Sequence, residues 1–195
     1  AVIAYELTKK TGVPAYIYDA VCGCGKPDEM FTITGLPEIR KPFLTHVLNS
    51  RAAAIEQAKN DRRDLNKTAY IVVHLGGGVT VNLISGGTVR DFVGDDEGAF
   101  SPERAGGVPC RALTALCYSN TYSEQQMQKR LKGQGGMLAY LQTSSLSEAE
   151  KLINEGNAQA ERVVEAMAMQ SAKDIGAMAT VEAGNVDGII LTGGM

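Results

Sequence analysis

Hydrophobic residues in the central part of the chain fall into short runs that glycines interrupt. The first run starts at Tyr70 and ends at His74, the second follows Gly78, and the third, from Thr88 to Phe92, follows a Gly-Gly turn. Apolar runs bounded by glycine are typical of buried strands joined by tight turns. We therefore predict a three-stranded meander between Tyr70 and Phe92.

Helical periodicity accounts for most of the remaining apolar positions. The longest helix is predicted from Ala158 to Glu182, and another from Phe43 to Lys59. Shorter helices are predicted at about 1–11, 110–118, 123–131 and 147–154, and single strands at Pro14–Tyr18 and Asp187–Leu191. The inner face of the Phe43–Lys59 helix is expected to carry these residues: Leu48, Ala52, Ile55 and Ala58.

The order of these elements indicates the fold class. Meander, helix and strand follow one another in a ribonuclease-H-like domain, the repeated unit of the actin-like ATPase fold. We therefore predict an α/β protein in which helices flank a mixed sheet. A chain of 195 residues with 44% hydrophobic and 21% charged residues is large enough to form one core.

Charge and cysteine content narrow the classes of partner and compartment. The net charge of −3 gives no indication of nucleic acid binding, and no apolar run approaches the ~20 residues that a membrane helix needs. We therefore expect neither a nucleic acid nor a membrane partner. The cysteines, at 22, 24, 110 and 117, match no zinc finger or ribbon spacing, so we interpret them as reduced thiols of a cytoplasmic protein.

The turn formed by Gly76, Gly77 and Gly78 is a candidate phosphate site, because glycines let backbone N–H groups approach an anion. It is neither a Walker loop nor a dinucleotide fingerprint, since no Gly-Lys-Ser/Thr follows and a strand comes next. Strand, glycine turn and strand is the arrangement with which actin-like ATPases and sugar kinases hold phosphates. A plain tight turn is the alternative interpretation.

A second candidate is the long loop from Gly94 to Pro109, which has few apolar residues and several glycines and acids. Loops of this length without regular structure tend to be functional. Arg104 lies within it between Pro102 and two glycines, a poor position for core packing. A solvated loop arginine is the alternative.

Six motifs follow one another along the chain: Thr34-Gly-Leu-Pro-Glu-Ile, His46-Val-Leu-Asn, His74-Leu-Gly-Gly-Gly, Glu97-Gly-Ala-Phe-Ser-Pro-Glu-Arg-Ala-Gly-Gly, Lys132-Gly-Gln-Gly-Gly-Met-Leu-Ala-Tyr-Leu and Ile189-Ile-Leu-Thr-Gly-Gly. Together they resemble the acetate kinase family, and its butyrate kinase branch in particular. The motifs span nearly the whole chain in order, and the Ser-Pro-Glu-Arg-x-Gly-Gly loop is specific to that branch. Cys22 and Cys24 depart from the family pattern, which is usually aliphatic there.

The resemblance implies transfer of the γ-phosphoryl of ATP to a short-chain fatty acid, giving an acyl phosphate and ADP, with Mg²⁺ as cofactor. A carboxylate is already ionised at neutral pH, so this reaction needs cationic and hydrogen-bond donors rather than a general base. By resemblance, Arg104 would bind the carboxylate or the phosphoryl, and His46 and His74 would donate to the phosphoryl. A sugar or glycerol kinase and a non-enzymatic actin-like nucleotide-binding protein are the alternatives.

The remaining site residues are also implied by the resemblance. Asp19, at the end of a predicted strand, matches the family aspartate that helps to place Mg²⁺ and the catalytic arginine; a strand-end turn residue is its alternative. Glu97 is a weaker candidate that matches the family pattern. The glycines are expected to contact ATP or ADP: Gly76, Gly77 and Gly78 at the β-phosphate end, and Gly193 and Gly194 beside the adenosine.

The family is longer than this chain, and both ends are expected to be truncated. We predict that residues 1–20 are a remnant of an N-terminal domain and that residues 21–195 are most of the second, nucleotide-binding domain of a two-domain kinase. Such a fragment is expected to be inactive by itself. A homodimer or higher homo-oligomer is expected from the family alone.

Overall fold

The computed structural model describes residues 2–20 and 27–195, so the cysteines at 22 and 24 lie outside the described residues. Two short 3₁₀ helices accompany the elements, at Glu29–Thr32 and Leu65–Lys67. The described helices and strands, in chain order, are α1 (Val2–Thr11), α2 (Val47–Asn60), β1 (Ala69–Leu75), β2 (Val79–Ser85), β3 (Thr88–Val93), α3 (Cys110–Cys117), α4 (Glu124–Leu131), α5 (Gly136–Leu141), α6 (Leu146–Asn154), α7 (Ala158–Val181) and β4 (Gly188–Gly193).

The strands form a mixed sheet in the order β3-β2-β1-β4. The meander β1-β2-β3 is antiparallel, as predicted, with Tyr70 opposite Ile84 in the β1–β2 register. Strand β4 lies parallel to β1, with Val73 opposite Leu191. A parallel pair requires a long crossover connection, and the last helix before β4, α7, packs on the sheet as part of it.

Both faces of the sheet are covered by a helix, which is why β1 is apolar at consecutive positions. Tyr70 and Val72 belong to a buried cluster with residues of α2. Ile71 and Val73 point the other way, into a cluster that includes Met178 of α7. The structure therefore has three layers, helix on sheet on helix.

The strand predicted at Pro14–Tyr18 does not form, and this prediction is wrong. Tyr16, Ile17 and Tyr18 are 72%, 59% and 72% exposed, and no strand of the described residues pairs with this segment. A strand needs hydrogen bonds from a neighbour, which an apolar run alone does not supply. The preceding helix does form, as α1, but buries none of its residues.

The inner face predicted for the second helix was also largely wrong. Leu48 and Ile55 are 55% and 45% exposed, and the helix starts at Val47 rather than at Phe43. The face against the sheet carries mainly small residues, which allow the helix backbone to lie close to the strands. The buried residues of α2 are Val47, Ser50, Ala54 and Ala58.

Two further differences concern the C-terminal half. Helix α5 was not predicted, because its six residues follow a glycine-rich stretch that has no helical periodicity before it. Helix α7 was predicted correctly, and Asn157 caps its N-terminus by accepting hydrogen bonds from two backbone N–H groups. Among the described residues, no helix is both long and apolar enough to cross a membrane.

Candidate active site

The glycine turn lies between the ends of β1 and β2, and the two histidines of the chain meet beside it. The rings of His46 and His74 are stacked, with centroids 4.0 Å apart and planes inclined by 20°. A Cβ built on Gly76 would lie 3.1 Å from Nε2 of His74, so the turn passes directly against that ring. His46 comes from the residue that precedes α2, and His74 from the end of β1.

Each ring is held by one hydrogen bond at Nδ1. His46 pairs with the hydroxyl of Thr80 at 3.1 Å, and His74 with the side-chain oxygen of Asn49 at 2.9 Å. In both cases the partner lies in β2 or α2, so that Nδ1 is occupied and Nε2 lies on the opposite side of the ring. A histidine oriented through one nitrogen can present the other to a ligand.

Arg104 reaches the same turn from the loop that follows β3. A Cβ built on Gly78 would lie 2.5 Å from its Nη1 and 2.7 Å from its Cζ, so the guanidinium occupies the space that any other residue would fill. Nη1 forms an ion pair with Asp95, and Nζ of Lys132 lies 3.9 Å from the same carboxylate. The glycine is therefore required for the close approach of the arginine.

The loop that carries Arg104 is fixed to its surroundings at several points. The backbone N–H of Ala99 donates to the carboxylate of Asp174 at 2.7 Å, and the hydroxyl of Ser101 donates to the carbonyl of Gly77 at 2.7 Å. At Gly136, where φ is +59°, an added Cβ would lie 1.9 Å from the carbonyl oxygen of Ser101. These contacts tie the arginine loop to α7, α5 and the glycine turn.

Burial lowers the pKa of both imidazoles, and neighbouring positive charge lowers that of His46 further. Burial is the main reason that the pKa of His46 falls from 6.5 to about 4, and the neighbouring His74, Arg104 and Lys132 act in the same direction. Burial also lowers the pKa of His74 and that of Arg104 from its usual high value. Two neutral imidazoles beside two cations form a site suited to an anion.

A cleft of about 480 Å³ adjoins the turn. Gly76 and Gly77 form one side of it, Gly194 contributes from the end of β4, and Ser145 contributes from the start of α6. Its lining is mostly small or hydroxyl-bearing, so that it is open to a polar ligand. Three of the five predicted glycines, Gly76, Gly77 and Gly194, thus face one cavity at the carboxyl ends of the parallel strands β1 and β4.

The structure does not bring Asp19 to this site. Its carboxylate forms an ion pair with Arg51, whose Nε donates to the carbonyl of Gly87 at 3.1 Å. Gly87 is in the turn after β2, seven residues beyond Thr80, which corresponds to roughly 20 Å along a strand. Glu97 contacts its own loop rather than the glycine turn. Its carboxylate accepts a hydrogen bond from the N–H of Gly94 and forms an ion pair with Lys41 at 2.9 Å.

Four residues of the site were missed in the sequence. They are Asp95, Lys132, Asn49 and Thr80. Asn49 follows His46 by three residues, so a helix starting at that point would have put both on one face. Thr80 lies opposite His74 in the β1–β2 register, which a hairpin through Gly77 predicts.

Comparison with known proteins identifies the family. The sequence profile of the acetokinase family matches residues 46–195, well over half of the chain. The chain belongs to the acetokinase family. Butyrate kinase 1 of Clostridium acetobutylicum is 40% identical to it over 196 residues, and probable butyrate kinase 2 of Caldanaerobacter subterraneus subsp. tengcongensis is 38% identical over 195 residues. Both matches cover 100% of this chain and 55% of the relative, so the chain spans about half the length of the curated relatives it matches.

Solved structures confirm the predicted fold of this acetokinase-family chain. An acetate kinase from Porphyromonas gingivalis superposes with a TM-score of 0.80 at 24% identity, covering 86% of this chain and 44% of the other. A propionate kinase from Francisella tularensis superposes with a TM-score of 0.78 at 20% identity, covering 86% and 45%. At these identities the likeness concerns the fold, a mixed sheet flanked by helices.

Proposed function

We propose that this chain is the nucleotide-binding half of an acyl kinase that transfers the γ-phosphoryl of ATP to a short-chain carboxylate. Butanoate + ATP = butanoyl phosphate + ADP is the reaction we favour, because curated butyrate kinases are about 40% identical to the chain. The observation that carries the proposal is the convergence of His46, His74 and Arg104 on one glycine turn.

These three groups meet the chemical demands of the reaction. The acceptor carboxylate is already ionised, so the barrier lies in bringing two anions together and in stabilising charge on the transferring oxygens. Arg104 supplies a planar cation that can pair with a carboxylate or phosphoryl through two N–H groups. The imidazole of His46 supplies a hydrogen-bond donor without adding charge, and stabilisation of this kind is the largest contribution in many transfer reactions. His74, whose Nδ1 faces the side-chain oxygen of Asn49, stacks on His46 beside the turn.

The cleft beside the turn supports the assignment of ATP and ADP as the nucleotide. Its volume of about 480 Å³ lies in the range of small-molecule sites. We assign the Gly76–Gly78 turn to the β-phosphate end and the Gly193–Gly194 end of β4 to the adenosine end. Gly194 and the turn line the same cleft, which is consistent with one nucleotide reaching both.

Mg²⁺ belongs to the proposal only through the family. No cluster of three potential metal ligands occurs in the described parts of the chain, and Asp19 is engaged by Arg51 away from the turn. As the residues stand, they do not fit a magnesium site around Asp19, and its metal role stays a prediction. The Asp19→Asn variant tests this metal role, with Arg51→Ala as the matched control. If Asp19 binds the metal, the Mg²⁺ concentration needed for activity should rise in Asp19→Asn and not in Arg51→Ala.

The exposed apolar residues of α1 and of the segment up to Tyr18 support the proposed division of the chain. Val2, Ile3 and Tyr16 are each more than 70% exposed, as expected if residues 1–20 pack in another domain and residues 21–195 form most of the nucleotide-binding one. A cytoplasmic homodimer or higher homo-oligomer is proposed from the family. Light scattering of the full-length protein tests the oligomeric state.

An acyl-hydroxamate assay of the full-length protein tests the function. With ATP and Mg²⁺, we expect product from butyrate or isobutyrate, and less from acetate and propionate. Arg104→Ala should lower turnover by roughly 10²-fold or more with a small change in nucleotide affinity, since it removes stabilisation of the transferring group. Arg111→Ala, on the exposed α3, is the matched control; wild-type turnover without Arg104 would refute the mechanism.

The same preparation separates the alternatives. A sugar kinase would phosphorylate glycerol or hexoses, whose neutral hydroxyl needs a base, and an actin-like binding protein would bind nucleotide without forming hydroxamate. Membership of the acetokinase family does not favour either of these. Activity toward a polyol with none toward the acids would overturn the proposal.

A further inference from the structure

A network of hydrogen-bonded polar side chains lies behind His46, in surroundings that are otherwise apolar. It lies between β2 and α2, where the neighbouring positions form a hydrophobic cluster with Val72 and Ile84. Burying polar groups costs free energy unless they are fully hydrogen-bonded, so such a network needs a reason. Its members are 7% exposed or less: Thr45, Ser50, Thr80 and Asn82.

The hydrogen bonds of this network run in one direction. The hydroxyl of Thr45 donates to Oδ1 of Asn82 at 2.6 Å, and Nδ2 of Asn82 donates to Ser50 at 2.9 Å and to Thr80 at 3.4 Å. Thr80 thus accepts on its oxygen from the amide, and among the described residues the acceptor within reach of its hydroxyl proton is Nδ1 of His46 at 3.1 Å. A buried hydroxyl whose proton had no acceptor would be costly, so Thr80 donates to Nδ1. A nitrogen that accepts a hydrogen bond carries no proton, so the ring proton lies on Nε2.

We propose that Asn82, acting through Thr80, is a positioning residue that holds His46 as the neutral tautomer with its proton on Nε2. Nε2 lies across the ring from the sheet, where a bound phosphoryl would accept from it. The inference rests on the proposed kinase function for its purpose, while the tautomer itself is a property of the folded protein. The network therefore makes His46 a donor without a charge.

His74 provides a contrast within the same site. Its Nδ1 faces the side-chain oxygen of Asn49 at 2.9 Å, and an oxygen acceptor requires the proton on Nδ1. The two stacked rings therefore hold opposite tautomers, and a change in the network behind His46 should leave His74 unaffected. This makes His74 the internal reference for a test on His46.

Nitrogen-15 spectra of selectively labelled histidine in the full-length protein read the tautomers directly, because protonated and unprotonated ring nitrogens have widely separated shifts. His46→Gln and His74→Gln assign the signals. We expect a fixed Nε2–H signature for His46 near neutral pH, and a shift toward the mixed signature of free histidine in Asn82→Leu and in Thr80→Val. Thr80→Ser keeps the hydroxyl and should restore the native signature.

Ser50→Ala is the matched control for a purely structural effect. It removes a buried hydrogen bond from the same amide, while the contact of Ser50 with His46 is made by the backbone N–H, which alanine keeps. We expect it to lower the unfolding midpoint comparably to Asn82→Leu while leaving the His46 signals native. An Nδ1–H signature in the native protein, or native His46 signals in Thr80→Val, would overturn the proposal.

Kinetics supply the second measurement. Residues that orient metal-binding histidines typically contribute ~10- to 100-fold, and by analogy we expect kcat of Asn82→Leu to fall by that factor with little change in KM for ATP. Loss of kcat with unchanged His46 signals would assign Asn82 to structure alone and reject the inference. If the full-length protein lacks kinase activity altogether, the proposed function fails, while the spectra still decide the tautomer.

Discussion

The close approach of Arg104 to the glycine turn makes Gly78 the most informative position to change. In Gly78→Ala, the new methyl would lie 2.5 Å from Nη1, 2.7 Å from Cζ and 3.0 Å from Nε of Arg104. Relaxed contacts between such atoms are about 3.5–4.0 Å, so the guanidinium must recede by about 1 Å. A flexible side chain can do this at little cost in stability, but not without leaving its position.

The two consequences can be measured separately. A displacement of about 1 Å in a positioning group can lower turnover by ~10²-fold, or about 2.7 kcal/mol in the activation free energy. The backbone of Gly78 is not in the left-handed region, so alanine is compatible with it and should stabilise the fold by about 0.4–1 kcal/mol through the unfolded chain. We therefore expect a stable protein with little activity.

The hydroxamate assay and urea denaturation of the full-length protein check this pair of outcomes. Gly176→Ala is the matched control, because a Cβ there would have no atom within 4 Å and its helix should gain stability in the same way. Wild-type turnover in a folded Gly78→Ala variant would show that the position of Arg104 against the turn is not needed, and the proposed mechanism would lose its central group.

Three further predictions concern stability. In Gly136→Ala, the Cβ would meet the carbonyl of Ser101 at 1.9 Å and φ is +59°, so we expect a loss of more than ~1 kcal/mol in denaturation, with lower activity. Asp174→Ala leaves the buried N–H of Ala99 without its acceptor and should cost about 1–3 kcal/mol, with turnover falling as the arginine loop loosens. For His46, the folded pKa of about 4 lies below the unfolded 6.5, so its contribution to stability is complete above pH 6.5 and is lost as pH falls toward 4. His46→Gln should flatten that part of the stability–pH curve, and an unchanged curve would contradict the low pKa.

The sheet could be predicted because its signals are local. The apolar runs from Tyr70 to Phe92 are separated by glycines, and the observed strands extend those bounds by one residue at each end. The same criterion failed at Pro14–Tyr18, where the apolar pattern is present but no strand in the described part of the chain pairs with it. An apolar sequence pattern indicates that a segment can join a sheet, but whether it does depends on the tertiary structure around it.

The site was predictable in part for a similar reason. His46, His74 and Arg104 stand out by residue type and by family motif, and the structure brings these three together. Their supporting residues do not stand out, since an asparagine or threonine in a strand is common and its partner is distant in sequence. Asn82 contacts Thr45 across 37 residues, a separation at which sequence spacing carries no geometric information.

The charge balance of the site suggests why two histidines accompany one arginine. Arg104 and Lys132 are permanent cations, and Asp95 between them offsets one charge. A further pair of cations would bind ATP, carboxylate and products alike, and uniform binding of that kind does not raise kcat. In the proposed reaction, the neutral imidazole of His46 would instead donate a hydrogen bond that strengthens as charge develops on the transferring oxygens. The stacking of the two imidazoles at 4.0 Å favours this state, because protonating one ring disfavours protonation of the other.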